Sequence, residues 1–229
     1  NHNLEELNLP GRPIVALALS HAHYDHSGAL RDFLERNPGL PVFGNASLFE
    51  PRYASSGGKV RSIGLHGEPD DWRARAAFSL SDTPQEIVPG VRTTGRIAPR
   101  PYPQGSSPHH VVERAGAMQH DPYADDMSLV LTVSGGIALL CGCCHAGLRN
   151  TLATLRAQTS EPLLAIIGGT HLADAAESEI AALIETLAAE GSPRLYLNHC
   201  TGERALYALH AAFGERVSPC PAGTTITFD

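Results

Sequence analysis

The stretch Ser20-His21-Ala22-His23-Tyr24-Asp25-His26-Ser27-Gly28 gathers four potential metal ligands into six residues and follows the apolar run Ile14-Val15-Ala16-Leu17-Ala18-Leu19. In an extended strand side chains alternate with period 2, so His21, His23 and Asp25 share one face; His26 joins them as the chain turns into a helix. Neutral imidazole suits zinc, and a neighbouring carboxylate suits a second zinc, iron or manganese ion. A polar strand end carrying solvated histidines is the competing reading, and it leaves the converging spacing unexplained.

Three later apolar runs also end in histidine. Ile137-Ala138-Leu139-Leu140-Cys141-Gly142-Cys143-Cys144 leads to His145, Leu163-Leu164-Ala165-Ile166-Ile167-Gly168-Gly169-Thr170 to His171, and Arg194-Leu195-Tyr196-Leu197-Asn198 to His199. A single strand-terminal histidine is more often structural than ligating. Four such ends in one chain point to a site, because α/β sheets collect their sites at the carboxyl ends of strands.

The elements that must position these residues are legible in outline. Leu4 to Leu9 reads as a short helix broken by Pro10-Gly11, and Ile14 to Ser20 as the strand that delivers the His-rich loop. Ala29 to Arg36 has helical spacing and stops at Asn37-Pro38-Gly39, with a strand near Pro41 to Gly44. From Glu50 to Pro108 periodicity is poor, and surface turns are expected, with strands about Gln85 to Val88 and Val91 to Thr94. Pro99 to Pro108 reads either as a lid near a pocket or as disorder, and His109 and His110 follow it. Ser128 to Val133, Ser134-Gly135-Gly136 and Ile137 to Cys144 form a β-hairpin with a glycine turn. Asp174 is placed to cap a helix from Ala175 to Glu190, a second helix spans Glu203 to Phe213, and a strand from Thr224 to Phe228 closes the chain.

Composition fits one enzyme-sized domain over 1–229: 229 residues with 42% hydrophobic content can bury a sizeable core. A formal charge of −7 argues against a broad nucleic-acid footprint. No apolar stretch approaches the roughly 20 residues of a membrane span, and no secretory pattern opens the chain. The expected partner is therefore a small molecule, with neither nucleic acid nor membrane, and homo-oligomerisation stays open. Cys141, Cys143, Cys144, Cys200 and Cys220 are odd in number and crowded, which favours a reducing, cytoplasmic location. Cys-Gly-Cys-Cys reads first as small residues beneath the His145 loop, with Cys143 or Cys144 as a soft ligand the lesser reading.

The segment from His21 to His26 resembles the His-x-His-x-Asp-His signature of the metallo-β-lactamase superfamily, a group of mostly zinc-dependent hydrolases. Asp125-Asp126-Met127-Ser128, Cys143-Cys144-His145-Ala146-Gly147, Ile167-Gly168-Gly169-Thr170-His171-Leu172 and Asn198-His199-Cys200-Thr201-Gly202 extend the likeness. Together they are similar to the branch labelled 7,8-dihydropterin-6-methyl-4-(β-D-ribofuranosyl)aminobenzene 5′-phosphate synthase-like. The resemblance implies an α+β fold, a four-layer αββα sandwich with metals at one edge. Members usually have two or three strands ahead of the His-rich motif. Only 20 residues precede His21 here, so either the first strands lie outside this sequence or the variant begins late.

By motif, the resemblance makes His21, His23 and His145 the ligands of a first ion, and Asp25, His26 and His199 those of a second. His171 stands where most two-metal members carry a bridging aspartate. One imidazole nitrogen cannot bridge as a carboxylate does, so a ligand or supporting role is expected for it. Three imidazoles leave zinc an open position, and a second ion, zinc, iron or manganese, could sit about 3.5 to 4 Å away. The implied activity is metal-dependent hydrolysis of an ester, phosphoester or related small molecule, with metal-bound hydroxide as nucleophile and Asp25 orienting it as the catalytic group. The branch points to a phosphorylated ribosyl-aminobenzene or pterin-like compound. Arg149 and Asn150, opening a helix, and Thr201 beside His199 are the expected substrate contacts. Asp125 and Asp126 read equally as contacts to metal-bound water or substrate and as caps of the turn before the hairpin. A di-iron redox protein and a non-catalytic metal-binding protein on the same fold are the alternatives.

Overall fold

The computed structural model describes residues 3, 6, 7 and 13–228. The helix expected over 4–9 and its break at 10–11 lie outside them, save for Glu6 and Leu7. Two compact units are present: one holds the described residues up to Asp82 together with Ser107–Asp125, and the other holds Thr83–Ser106 with the residues from Asp126 onward.

In the first unit three parallel strands lie in the order Leu17–Ala18, Pro41–Gly44, Ala77–Leu80. The strand ahead of the His-rich loop is shorter than its apolar run. After the Leu19 N–H bonds the Phe43 carbonyl, the chain leaves the sheet and winds into a helical turn over Tyr24–Ser27. Ser27 Oγ donates to the carbonyls of Ala22 and His23 and so holds this turn from within. The expected common strand face is thereby corrected: His21 and His23 lie in extended loop, while Asp25 and His26 lie on the turn. The helix Leu30–Arg36 then buries Leu30 and Leu34 against Val42, Leu48 and Trp72.

The same unit holds a four-stranded antiparallel sheet that periodicity did not reveal, in the order Lys59–Ser62, Arg52–Ser56, His110–Arg114, Ala117–His120. Both edge strands are exposed along their whole length, so neither carries the apolar alternation that marks a half-buried strand. The usable signal was Gly57-Gly58, whose positive φ values of 56° and 74° make the two-residue turn of the first hairpin.

The second unit is built on a seven-stranded sheet. Its order is Val217–Pro219, Arg194–Leu197, Leu163–Gly168, Gly136–Cys141, Ser128–Val133, Val91–Thr93, Glu86–Val88. The first four strands are mutually parallel, and the last three add antiparallel, including the expected glycine-turn hairpin. Helices Leu148–Gln158, Glu177–Ala189 and Glu203–Phe213 bury Leu152, Leu155, Leu183, Leu187 and Leu209 with Leu139, Ile166 and Leu195 of the sheet. Because the strands are parallel, those leading to His145, His171 and His199 end on one side of the sheet.

Two expected boundaries differ. Asp174 does not cap its helix; Ala176 occupies the cap, and Glu179 Oε2 accepts the Ala176 N–H at 2.9 Å. Residues 224–228 form no strand, since both the Thr224 N–H and its Oγ1 donate to the Pro221 carbonyl and fold that stretch on itself. The closing strand is Val217–Pro219.

Gly168 ends the strand that leads to His171, with φ +115°, and a Cβ there would run into the Cys141 carbonyl. Gly168→Ala is therefore expected to destabilise the protein by at least about 2 kcal/mol in urea unfolding. A loss within a few tenths of a kcal/mol would show that the two strands can part without cost.

Candidate metal centre

The first unit brings four of the candidate ligands together. The His21 and His23 rings lie 4.7 Å apart between centroids and those of His21 and His26 4.2 Å apart, while Asp25 Oδ2 sits 3.5 Å from His26 Nε2. His21 and His23 are buried, His26 is half-buried and Asp25 is exposed. Burial first, then the charges of neighbouring His110 and Arg52, draws His23 down to about 3, so its ring is neutral and a lone pair is present at ordinary pH. Imidazoles at this spacing beside a carboxylate match the donor set of a zinc, iron or manganese site.

The second unit presents His145 and His171, 4.3 Å apart between ring centroids. His145 Nδ1 lies 3.0 Å from the Gly105 carbonyl. A carbonyl only accepts, so Nδ1 carries the ring proton and the ring's lone pair lies on Nε2. His171 and His199 adopt left-handed backbone with φ +48° and +52°, and Cys144, just before His145, has φ +56°. Left-handed non-glycine residues are uncommon and cluster at functional sites.

The cysteines surround these ends, and Cys143 Sγ lies within 4.8 Å of a ring nitrogen of His145 and of His199, which keeps it among the potential soft donors. All five are free thiols; Cys141 and Cys144 belong to the apolar core, and Cys143 is buried. A hydrogen bond with Cys141, together with burial, pushes the Cys144 thiol well above its ordinary range. Cys200 is drawn down, by hydrogen bonding with Cys143 and then with the His171 N–H, which lies 3.3 Å from its sulfur.

The backbone of each ligand loop is held by a buried aspartate. Asp125 Oδ2 accepts the N–H of Ala22, between the two first-unit histidines, at 2.7 Å. In the second unit Asp126 Oδ2 accepts the N–H of Ala146, just after His145, also at 2.7 Å. Burial pushes the Asp125 carboxyl up to about 6, against the opposing pull of Arg52 and the Ala22 N–H. Of the two roles open for this pair, structural bracing is the one the contacts display, though it braces the ligand loops rather than capping a turn.

The expected substrate contacts fall differently. Asn150 is fully buried; its Nδ2 donates to the carbonyls of Ala146 and Tyr102, and its Oδ1 accepts the Tyr102 N–H. Its amide therefore pins the 99–106 strap, with its oxygen and nitrogen engaged at Tyr102 and Ala146. Thr201 is likewise engaged: its N–H donates to the Asn198 carbonyl, and its Oγ1 accepts from Thr170 Oγ1 at 3.0 Å. Arg149 stacks on the Tyr102 ring, 4.0 Å from its centroid, and donates through Nε to Thr186 Oγ1. Sequence reasoning gave Tyr123 no role; its hydroxyl lies 3.1 Å from His110 Nδ1, and the His110 ring meets that of His23 edge to face at 5.1 Å. Isolated aromatics carry no spacing signal, which is why Tyr123 was invisible.

A family model for the metallo-beta-lactamase superfamily matches residues 2–118. The chain belongs to that superfamily. Among its relatives is the 7,8-dihydropterin-6-methyl-4-(beta-D-ribofuranosyl)-aminobenzene-5'-phosphate synthase of Methanocaldococcus jannaschii, 26% identical over 237 residues that cover 99% of this chain and 79% of the relative. An uncharacterised protein of the same archaeon is 26% identical over 195 residues, covering 84% of this chain and 71% of that one. The crystal structure of Tm1679, described as a metal-dependent hydrolase of the beta-lactamase superfamily, matches with a TM-score of 0.84 at 23% identity. The match covers 99% of this chain and 85% of that one. The metallo-β-lactamase type of α+β fold, read from the motifs, is thus the fold of this chain.

The neutral His23 has a measurable consequence in chelator-treated protein. The folded ring takes up a proton only near pH 3, whereas in the unfolded chain it does so near 6.5. The unfolded state binds more protons throughout that window, so His23 makes stability fall as pH drops through it, by at most about 1.4 kcal/mol per pH unit. Asp125 acts in the opposite sense, its raised carboxyl contributing stability that is lost as pH rises through about 6. Comparison with a His23→Gln variant isolates the histidine: between pH 6.5 and 5 the native chain should lose about 1 to 2 kcal/mol more in urea unfolding than the variant. Parallel pH profiles would mean that His23 titrates normally.

Proposed function

We propose that the protein is a metal-dependent hydrolase acting on an ester or phosphoester of a small molecule. The observation that carries this reading is the convergence of His21, His23 and His26 with Asp25 inside one unit, on the motif that identifies the superfamily. In the proposal His21, His23, Asp25 and His26 are the metal ligands of the first unit, and His145 and His199 those of the second, where His171 serves as a further ligand or supports His145. The bound ions, zinc or alternatively iron or manganese, supply a Lewis acid and an activated water.

The chain's own residues do the rest. The neutral His23 ring and the Nδ1-protonated His145 ring offer lone pairs without first releasing a proton. Asp25, exposed and beside His26, is placed to accept a proton from the attacking water at a carboxylate oxygen and to orient it. Arg149, stacked on Tyr102, keeps the half-exposed guanidinium available to an anionic substrate group.

For substrate class we propose a phosphorylated ribosyl-aminobenzene or pterin-like compound, supported by the name of the archaeal relative. The formal charge of −7 supports a small molecule over nucleic acid. No helix among the described residues is long and apolar enough to cross a membrane. Five free thiols support placement in the cytoplasm.

The test joins metal analysis to turnover. Protein purified without chelator should carry at least about one zinc, iron or manganese per chain. It should also cleave a generic phosphodiester or ester probe, with His21→Ala and His145→Ala each lowering turnover by at least about 100-fold while circular dichroism stays native. His171→Ala should lower metal stoichiometry. Metal-free protein, or turnover unchanged in both single variants, would remove these residues from catalysis.

A further inference from the structure

Arg52 is the largest fully buried side chain among the described residues, at 1% exposure, and no motif pointed to it. Its guanidinium sits among two backbone carbonyls and three carboxylates, the farthest being Glu50 Oε2 at 3.6 Å from Nη2. Nη1 donates to the carbonyls of Glu50 and Ser47 at 2.8 and 3.2 Å. Nη2 lies 2.8 Å from Asp125 Oδ1, and Nε lies 3.3 Å from Asp121 Oδ2. The two carboxylate contacts fall off the N–H axes, so they are ionic contacts rather than aligned hydrogen bonds. A charged side chain this deep in a protein is rare unless paired, and two fully buried carboxylates beside one guanidinium form a costly arrangement that asks for a purpose.

The purpose is visible in what the network holds. Through Asp125, whose second oxygen accepts the Ala22 N–H, the Arg52 side chain reaches the backbone on one flank of His23. Through its own carbonyl, which accepts the Ile63 N–H at 2.9 Å while the Ile63 carbonyl accepts the Tyr24 N–H at 2.8 Å, Arg52 reaches the other flank. A third route runs behind the ring: Asp121 Oδ1 accepts the Tyr123 N–H, the Tyr123 hydroxyl meets His110 Nδ1, and His110 packs edge-on against His23. A planar fork with donors in fixed directions serves several acceptors at once, which the single ammonium of lysine cannot do.

We propose that Arg52 is the positioning residue of the His-rich loop, fixing the backbone on both sides of His23 so that the His21 and His23 rings converge before any metal arrives. The inference rests on the metal-site reading above. It assigns Arg52 no contact with substrate or ion.

The experiment uses the full chain, stripped with chelator and titrated with Co(II), whose ligand-field absorption reports coordination geometry. Arg52→Lys and Asp125→Asn are each expected to weaken Co(II) binding about 10- to 100-fold and to change the shape of the absorption bands, with far-ultraviolet circular dichroism of the stripped protein unchanged. Arg114→Gln is the control: Arg114 pairs bidentately with Glu50 at the network's margin, and that variant should keep native affinity and spectrum. Folded Arg52→Lys and Asp125→Asn with native spectra and affinities within about twofold of native would overturn the proposal. So would unfolding of both stripped variants, which would make the network a requirement of the fold rather than of the loop. Failure of the native chain to bind Co(II) would instead overturn the metal-site reading.

Discussion

Three imidazoles held within a few ångströms of one another repel when protonated and gain little from each other when neutral, so a loop carrying them needs its backbone fixed by other groups. In this protein the fixing groups are buried carboxylates acting on backbone N–H groups. Asp125 holds Ala22 and Asp126 holds Ala146, each at 2.7 Å, and each of these alanines adjoins a candidate ligand histidine. A charge-assisted bond to a backbone amide is among the stronger contacts available in a dry interior, and it leaves the imidazoles uninvolved. The His23 ring, buried in the loop so held, stays neutral.

The same constraint accounts for the mixture of elements. Parallel strands end together and deliver histidines to one side of a sheet, but a strand end is too regular to turn a ring through a chosen angle. The turning is done at left-handed positions, Cys144, His171 and His199, and by a four-residue helical turn after His23. Regular structure sets the approximate place, and local irregularity tied down by side chains sets the orientation.

The superfamily was legible, and candidate ligands could be named, because both live in short, dense motifs at the ends of apolar runs. The second half of the fold was legible for the same reason: buried parallel strands such as Leu163–Gly168 are continuous apolar runs separated by amphipathic helices. The antiparallel sheet from Arg52 to His120 escaped because its edge strands are exposed on every residue, and a strand without an apolar face has no period to read. Asn150 and Thr201, read as substrate contacts, are engaged within the fold. Polar residues at a helix start look alike whether they face a ligand or tie a neighbouring strap, and only the contacts of Asn150 to Tyr102 separate the two. Arg52 could not be found at all, since a buried arginine is identical in sequence to the solvated ones around it.

The central claim is that neutral imidazoles from the His-rich loop bind a metal ion directly. X-ray absorption at the zinc edge on the zinc-loaded full chain tests it most directly. The account predicts a first shell of nitrogen and oxygen at about 2.0 to 2.1 Å with the outer-shell scattering of several imidazoles, and a clear loss of that scattering in a double His21→Ala, His23→Ala variant. A shell dominated by sulfur at about 2.3 Å, or imidazole scattering unchanged in the variant, would contradict it.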